Sequence, residues 1–246
     1  MKTNNFRFRN FEDRHKNDLI LHHWNENFIG LKKMWESEYQ YIEYTVSVLE
    51  ELCQNNFDKQ DFEDHCKDVF YVEYFPKDNL RITFKGIEKI ITKLDDLREN
   101  LDWDSIKGHI VEYIVNFVFT KRMNMKLFIE PDVFYKKKPL IYRNNRVTNK
   151  NFDILSHKKR TFFILGEVKT NLFSCISRND LKTENKRQLQ KINDIENYLL
   201  NSTTRYSKTP EVKKYYIVLN IIEGISLNSL ATYELLKVSK LLKLKI

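Results

Sequence analysis

The sequence predicts an α/β protein whose N-terminal part is mainly helical. Three observations carry that prediction. Helix-spaced apolar stripes dominate roughly the first 120 residues, and short apolar runs of strand length cluster between residues 127 and 168. A further helix, strand and helix then follow, an order that suits a sheet covered by helices. The chain has 246 residues, 41% hydrophobic and 31% charged, with only 5 Gly and 4 Pro, the composition of a folded domain with a substantial core. No apolar run approaches the length of a membrane span, and Met1 to Arg14 is too polar for a secretory signal, so the expected compartment is the cytoplasm with no membrane partner.

The elements are expected in this order. Leu31, Trp35, Tyr39, Ile42, Val46 and Leu49 recur every three or four residues, predicting one helix from Leu31 to Cys53. Phe70–Phe75 and Leu80–Phe84 flank Pro76-Lys77-Asp78-Asn79 and read as a β-hairpin. Ile87, Ile90, Ile91, Leu94 and Leu97 mark a second amphipathic helix. Asp104 or Ser105 is placed to cap a third, which runs to about Thr120 and is apolar almost all round. Glu112 lies in its middle on a narrow polar strip with His109 and Asn116, and so requires a partner. Strands are expected near Leu127–Tyr135, Asn151–Leu155 and Thr161–Val168, then a helix over Leu181–Leu200, a buried strand over Lys214–Leu219 and a closing helix from Leu227 to Leu244.

Charge divides the chain. Residues 1–103 hold 15 Lys/Arg against 21 Asp/Glu, a net −6, whereas residues 104–246 hold 27 against 13, a net +14. The switch suggests an acidic helical domain over 1–103 and a basic domain over 104–246, the latter suited to a polyanion. Cys53, Cys66 and Cys175 are odd in number and form no CxxC pair, so inert thiols are expected. Zinc would need His22, His23 or His65 to join Cys53 and Cys66 at irregular spacing and is disfavoured.

The basic part contains Asn151-Phe152-Asp153-Ile154-Leu155 and, 14 residues beyond Asp153, Glu167-Val168-Lys169 at the end of Phe162–Leu165. Paired as an antiparallel hairpin, these segments bring Asp153 and Glu167 together as hard oxygen donors, with Lys169 on the face of Glu167. This pattern resembles the PD-(D/E)xK nuclease superfamily, which includes restriction enzymes, Holliday-junction resolvases and Mrr-like enzymes. The resemblance covers roughly Ser105–Leu219. It rests on Glu112 on the preceding helix, Asp153 on one strand, Glu167-Val168-Lys169 on the next and a polar residue, Gln188, on the following helix. Phe152 stands where the name-giving proline would be. Pro131-Asp132 offers a literal alternative, but Asp153 is preferred because one tight hairpin joins it to Glu167. Leu230–Leu236 also has an echo of the last core helix of such nucleases.

The resemblance implies a restriction-endonuclease-like core, a mixed central sheet flanked by helices, and a metal-dependent endonuclease. Asp153, Glu167 and the Val168 carbonyl would hold Mg²⁺ or Mn²⁺, Lys169 would act on the attacking water or the transition state, and Glu112 would complete the shell or serve a second ion. Gln188 would orient the phosphate or a ligand. Lys158, Lys159 and Arg160 in the hairpin turn, with Lys136, Lys137, Lys138, Arg143 and Arg146, are candidate backbone contacts. DNA is the expected substrate and RNA the alternative, with defence against foreign DNA the expected role. A homodimer and a partner protein bound through residues 1–103 stay open, as does a catalytically silent binding module.

Overall fold

The computed structural model describes residues 6–9, 29–52, 58–100, 102–129, 131–135, 138–141, 152–159, 161–177, 180–201, 209–220 and 227–244. The chain is mixed α/β, with a five-stranded mixed sheet carrying helices on both faces.

Strand β1 (Phe6–Arg9) belongs to a small separate sheet. The stripe expected as one helix from Leu31 is two: α1 (29–37) and α2 (Gln40–Leu52). The break falls at Glu38, whose carboxylate accepts from the Gln40 N–H at 3.3 Å and so competes with continuation of the helix. The stripe still packs as one surface: Trp35 Nε1 donates to Thr45 Oγ1 at 3.1 Å across the break. Helix α3 (Lys59–Val69) opens on Asp58, whose side chain accepts from the Asp61 N–H, and runs directly into a π-helical turn over Phe70–Tyr74.

That turn corrects the hairpin expected over residues 70–84. Pro76–Asn79 does turn, but its flanks are not strands. Phe70 and Tyr74, four residues apart, are the buried members of the aromatic run, and Tyr74 meets Tyr44 edge-on at 5.7 Å while its hydroxyl lies 3.1 Å from Ser47. Helical spacing of the buried rings outweighs the strand propensity of the segment. Tyr71, Val72, Phe75 and Phe84 are left as an exposed, largely aromatic patch. Helix α4 (Phe84–Asn100) follows, and its buried Asp95 is tied by Arg98 at 2.8 Å and by Lys59 of α3 at 3.2 Å.

Helix α5 (Trp103–Phe117) starts two positions earlier than the sequence suggests, with Asp102 at its N-cap position, and ends in a π-helical turn over Val118–Arg122. Its apolar circumference is explained by its neighbours. One face meets α2, α4 and α7, and another packs on the sheet. The single strand expected near Leu127–Tyr135 is two, β2 (Lys126–Ile129) and β3 (Asp132–Tyr135), lying in different sheets; β3 pairs with β1 and with β4 (Lys138–Ile141).

Strand β5 (Ile154–Lys158) and β6 (Phe162–Asn171) form the expected antiparallel hairpin, closed by Lys159 at φ 49°. A short hairpin, β7 (Ile176–Ser177) and β8 (Asp180–Leu181), leads to α6 (Thr183–Asn201), which returns the chain to β9 (Glu211–Asn220). The closing helix expected over Leu227–Leu244 is corrected. A 3-10 turn at Asn228–Leu230 precedes β10 (Glu234–Lys237), and only α7 (Val238–Leu241) is helical. The apolar spacing there suits a helix, but β9 would otherwise leave one edge unpaired, and Glu234–Lys237 fills it in parallel register with Tyr215–Val218. The sheet order is β10-β9-β6-β5-β2, with β10, β9 and β6 parallel and β5 and β2 antiparallel to their neighbours.

Alternation along β6 separates two cores. Ile164 and Val168 face a cluster shared with α2, α4, α5 and α7, which runs unbroken across the charge switch at residue 103. Phe163 and Leu165 face α6 through Leu189, Ile192, Ile195 and Leu199. On the α6 side, Lys214 ties β9 to α6 through Glu196 at 2.6 Å and lies over the Tyr233 ring. Among the described residues no helix is long and apolar enough to cross a membrane.

β6 and β9 approach closely at Gly166, where an added Cβ would sit 2.9 Å from the Tyr215 carbonyl oxygen, a backbone atom that cannot swing aside. Gly166→Ala is therefore expected to force the two central strands apart and destabilise the fold by about 1–3 kcal/mol, the usual scale for overpacking. Urea denaturation of wild type and variant checks this.

Candidate active site

The β5–β6 register fixes the site. Ile154 pairs with Gly166, so Asp153, just before β5, comes level with Glu167. Asp153 Oδ2 accepts from the Val168 N–H at 2.7 Å and from Lys169 Nζ at 3.2 Å. Lys169 Nζ also donates to Glu167 Oε2 at 2.6 Å, so one ammonium bridges both carboxylates. The group lies in the C-terminal half of β6, on the side of the parallel sheet toward which α/β proteins place ligands. In a strand the N–H and C=O of one residue point to the same side, so the Val168 carbonyl is directed to the side of Asp153.

Burial sets the electrostatics. Glu167 is 0% exposed and Asp153 7%. Loss of water and the neighbouring Asp153 charge push the Glu167 carboxyl well above the usual carboxylate range, against the opposing pull of Lys169. Burial alone would lower the Lys169 ammonium, but Glu167 and Asp153 prevail and hold it well above its ordinary value. Two carboxyl groups face one ammonium, and the raised value of Glu167 favours its neutral form while no cation is bound. Glu167 Oε1 is buried with no hydrogen-bond partner, an arrangement that normally demands a compensating group.

These residues fit a hard divalent cation. Glu167 Oε1 is a buried carboxyl oxygen without a hydrogen-bond partner, and the Asp153 carboxylate and the Val168 carbonyl supply further oxygen donors. Among the described residues no group of three or more His, Cys, Asp or Glu side chains is placed to hold an ion. The protein would contribute few ligands, as suits Mg²⁺ or Mn²⁺, which retain several waters.

Other expected members stand apart. Glu112 is on α5, which packs against the Ile164–Val168 face of β6, opposite to Glu167; its carboxylate lies 3.6 Å from His109 on its own helix. It is thus corrected from a shell ligand to a half-exposed helix residue. Asp132 opens β3, in the small sheet and not in the sheet that carries Glu167, and pairs with Arg9. Gln188 is brought onto the Glu167 side, at 3% exposure on the sheet-facing side of α6. Lys158 and Lys159 are exposed, but they sit at the turn end of the hairpin, roughly 15–20 Å along the strands from Asp153. That distance separates them from the carboxylates. Lys138 lies in β4, and Lys136, Lys137, Arg143, Arg146 and Arg160 fall outside the described residues.

Three groups were missed in the sequence. Lys191, one turn beyond Gln188, is close enough to feel the Glu167 charge, and burial lowers its ammonium. Lys182 and Arg187 are exposed around the first turns of α6, which begin at the site's end of the sheet. Tyr216 pairs in register with Glu167 and is fully buried. The recurrence of Lys182, Arg187 and Lys191 at spacings of five and four was the available signal for the cations. Tyr216 was visible only as one aromatic in an apolar strand. No family model, curated protein or solved structure matches the chain.

The raised Glu167 value has a signed consequence. Its neutral form suits the metal-free fold, so the stability it contributes is lost as pH rises through its folded value. Glu167→Gln cannot ionise. In EDTA its melting temperature is expected to equal or exceed that of wild type, with the gap widening from mildly acidic to alkaline pH; a gap that closes with rising pH would contradict the assigned burial effect.

Proposed function

We propose that this chain is a metal-dependent endonuclease of the PD-(D/E)xK type, with a restriction-endonuclease-like core, that hydrolyses phosphodiester bonds in DNA. The observation that carries the reading is the buried Asp153–Glu167 pair, bridged by Lys169, with the Glu167 Oε1 atom lacking a partner at the C-terminal end of β6. Asp153, Glu167 and the Val168 carbonyl are the residues that would hold Mg²⁺ or Mn²⁺. The ion would supply an activated water and neutralise charge on the phosphate.

The chain's own residues divide the remaining work. Asp153 is fixed by the Val168 N–H, which orients its carboxylate before substrate arrives. Lys169, held by both acids, can place a proton donor and positive charge beside the reacting phosphate. Gln188 can orient a phosphate oxygen from α6. The cations along the first turns of α6 are better placed than Lys158 and Lys159 to grip the backbone near the reaction, because α6 follows the C-terminal end of β6. The net +14 of residues 104–246 supports a polyanionic substrate. Defence against foreign DNA is the proposed role, and RNA is the alternative substrate.

A second reading has its own observation. The exposed Tyr71, Val72, Phe75 and Phe84 patch favours a partner protein bound by the helical part, with the basic part gripping nucleic acid without cutting it.

Incubation with supercoiled, linear and single-stranded DNA and with RNA, in Mg²⁺, Mn²⁺ or EDTA, separates these readings. Cleavage of DNA is expected with either metal and none in EDTA. Asp153→Asn and Glu167→Gln are expected to lose at least a hundredfold in rate while remaining folded. Asp132→Ala and Glu112→Ala are expected to cut as wild type. Undiminished cleavage by Asp153→Asn would sink the site assignment, and binding without products in any metal would favour the non-catalytic reading.

A further inference from the structure

Beside the Asp153–Glu167–Lys169 group lies a second buried atom without a hydrogen-bond partner, the Tyr216 hydroxyl. Tyr216 on β9 and Glu167 on β6 are register partners in adjacent parallel strands, so their side chains leave the same face side by side. Both residues are 0% exposed. The hydroxyl lies near the Cys175 thiol, Lys169 and Glu167. Of these only the Cys175 thiol offers it a hydrogen bond, a weak one through sulfur, and no nitrogen or oxygen of the described residues completes it. Lys169 Nζ is engaged by the two carboxylates, and the Cys175 thiol contacts the Asn171 carbonyl oxygen at 3.6 Å. Phenylalanine would fill the same apolar surroundings, between Leu165, Val218 and Leu189 of the α6-side core, without leaving a hydroxyl unpaired.

Two poorly satisfied buried polar atoms on neighbouring strands, one a carboxyl oxygen and the other a hydroxyl able to donate or accept, call for a shared partner. A hydrated divalent cation answers both requirements, whereas an apolar ligand answers neither and an anion would answer only the hydroxyl. We propose that Tyr216 is a positioning residue of the metal site, its hydroxyl bonding a water carried by the ion that Glu167 Oε1 ligates. The inference rests on the reading of the Asp153–Glu167 pair as a metal site. Tyr216 touches neither substrate nor the ion itself; it acts by fixing the ion's water shell, and groups of this kind typically contribute 10–100-fold to metal affinity.

The test is direct Mn²⁺ binding to the metal-free full chain, by calorimetry, for wild type and Tyr216→Phe, with melting temperatures in EDTA and in Mn²⁺. The expected result is about a tenfold weaker Mn²⁺ Kd in the variant and a smaller metal-induced rise in melting temperature, with an EDTA melting temperature no lower than that of wild type. Equal affinities would overturn the role of Tyr216 and leave the metal site standing. A variant that melts well below wild type in EDTA would mark the hydroxyl as a structural bond, also overturning the proposal. Wild type that takes up no Mn²⁺ would remove the metal site, and the proposal with it.

Discussion

The hydrogen bond from the Val168 N–H to Asp153 Oδ2 is the constraint on which the site depends. Beyond Ile154 the β5–β6 ladder ends, and the next N–H on that side of β6 would be left unpaired in a buried place. Asp153 substitutes its side chain for the missing strand. That single exchange fixes the carboxylate against the backbone of the Glu167-Val168-Lys169 segment, and it lets Lys169 reach both acids. Mobile carboxylates in so dry a place would either protonate or turn toward water. Here the backbone itself holds one of them.

The same strand is the centre of the fold. β6 lies between antiparallel β5 and parallel β9, and its two faces feed two cores. Gly166 permits the close approach of β9, which sets Tyr216 beside Glu167. The helical first part of the chain packs on the Ile164–Val168 face and leaves the carboxylates to the α6 face. The charge switch at residue 103 therefore marks no seam in the core. It separates an acidic set of helices on one face from a basic strand-and-helix unit that carries the site.

What could be read from the sequence follows from how local each determinant is. The hairpin that joins Asp153 to Glu167 was legible because strand period and a short turn dictate it almost alone. Helix α6 and the buried strand β9 were legible for similar reasons. The segment Phe70–Phe84 misled because aromatic residues favour strands, whereas its fate was set by rings from α2, distant in sequence. The end of the chain misled because β10 exists to cover an edge of β9, a requirement invisible from its own spacing. Glu112 misled in another way: its position on an apolar helix was correctly read, but which face of the sheet that helix covers is a property of topology. Lys158 and Lys159 were placed in the right turn, at the wrong end of the hairpin for the site.

The two acids gathered around Lys169 distinguish this group from most ion pairs elsewhere in the fold. Some ion pairs in the fold match one acid to one base, as Lys214 does with Glu196 and Lys186 with Asp180, while the buried Asp95 is shared by Lys59 and Arg98. Lys169 instead faces two acids, one of them fully removed from water. Lys191 on α6 adds a more distant positive charge and is itself partly desolvated, so it softens the imbalance without cancelling it. Hydrophobic residues of similar volume would hold β5, β6 and α6 together at lower electrostatic cost, since isolated buried ion pairs are commonly neutral or unfavourable for stability. Packing therefore gives no reason for Asp153, Glu167 and Lys169 to stand together. The Glu167 oxygen without a hydrogen-bond partner is the atom that the proposed metal ion would engage.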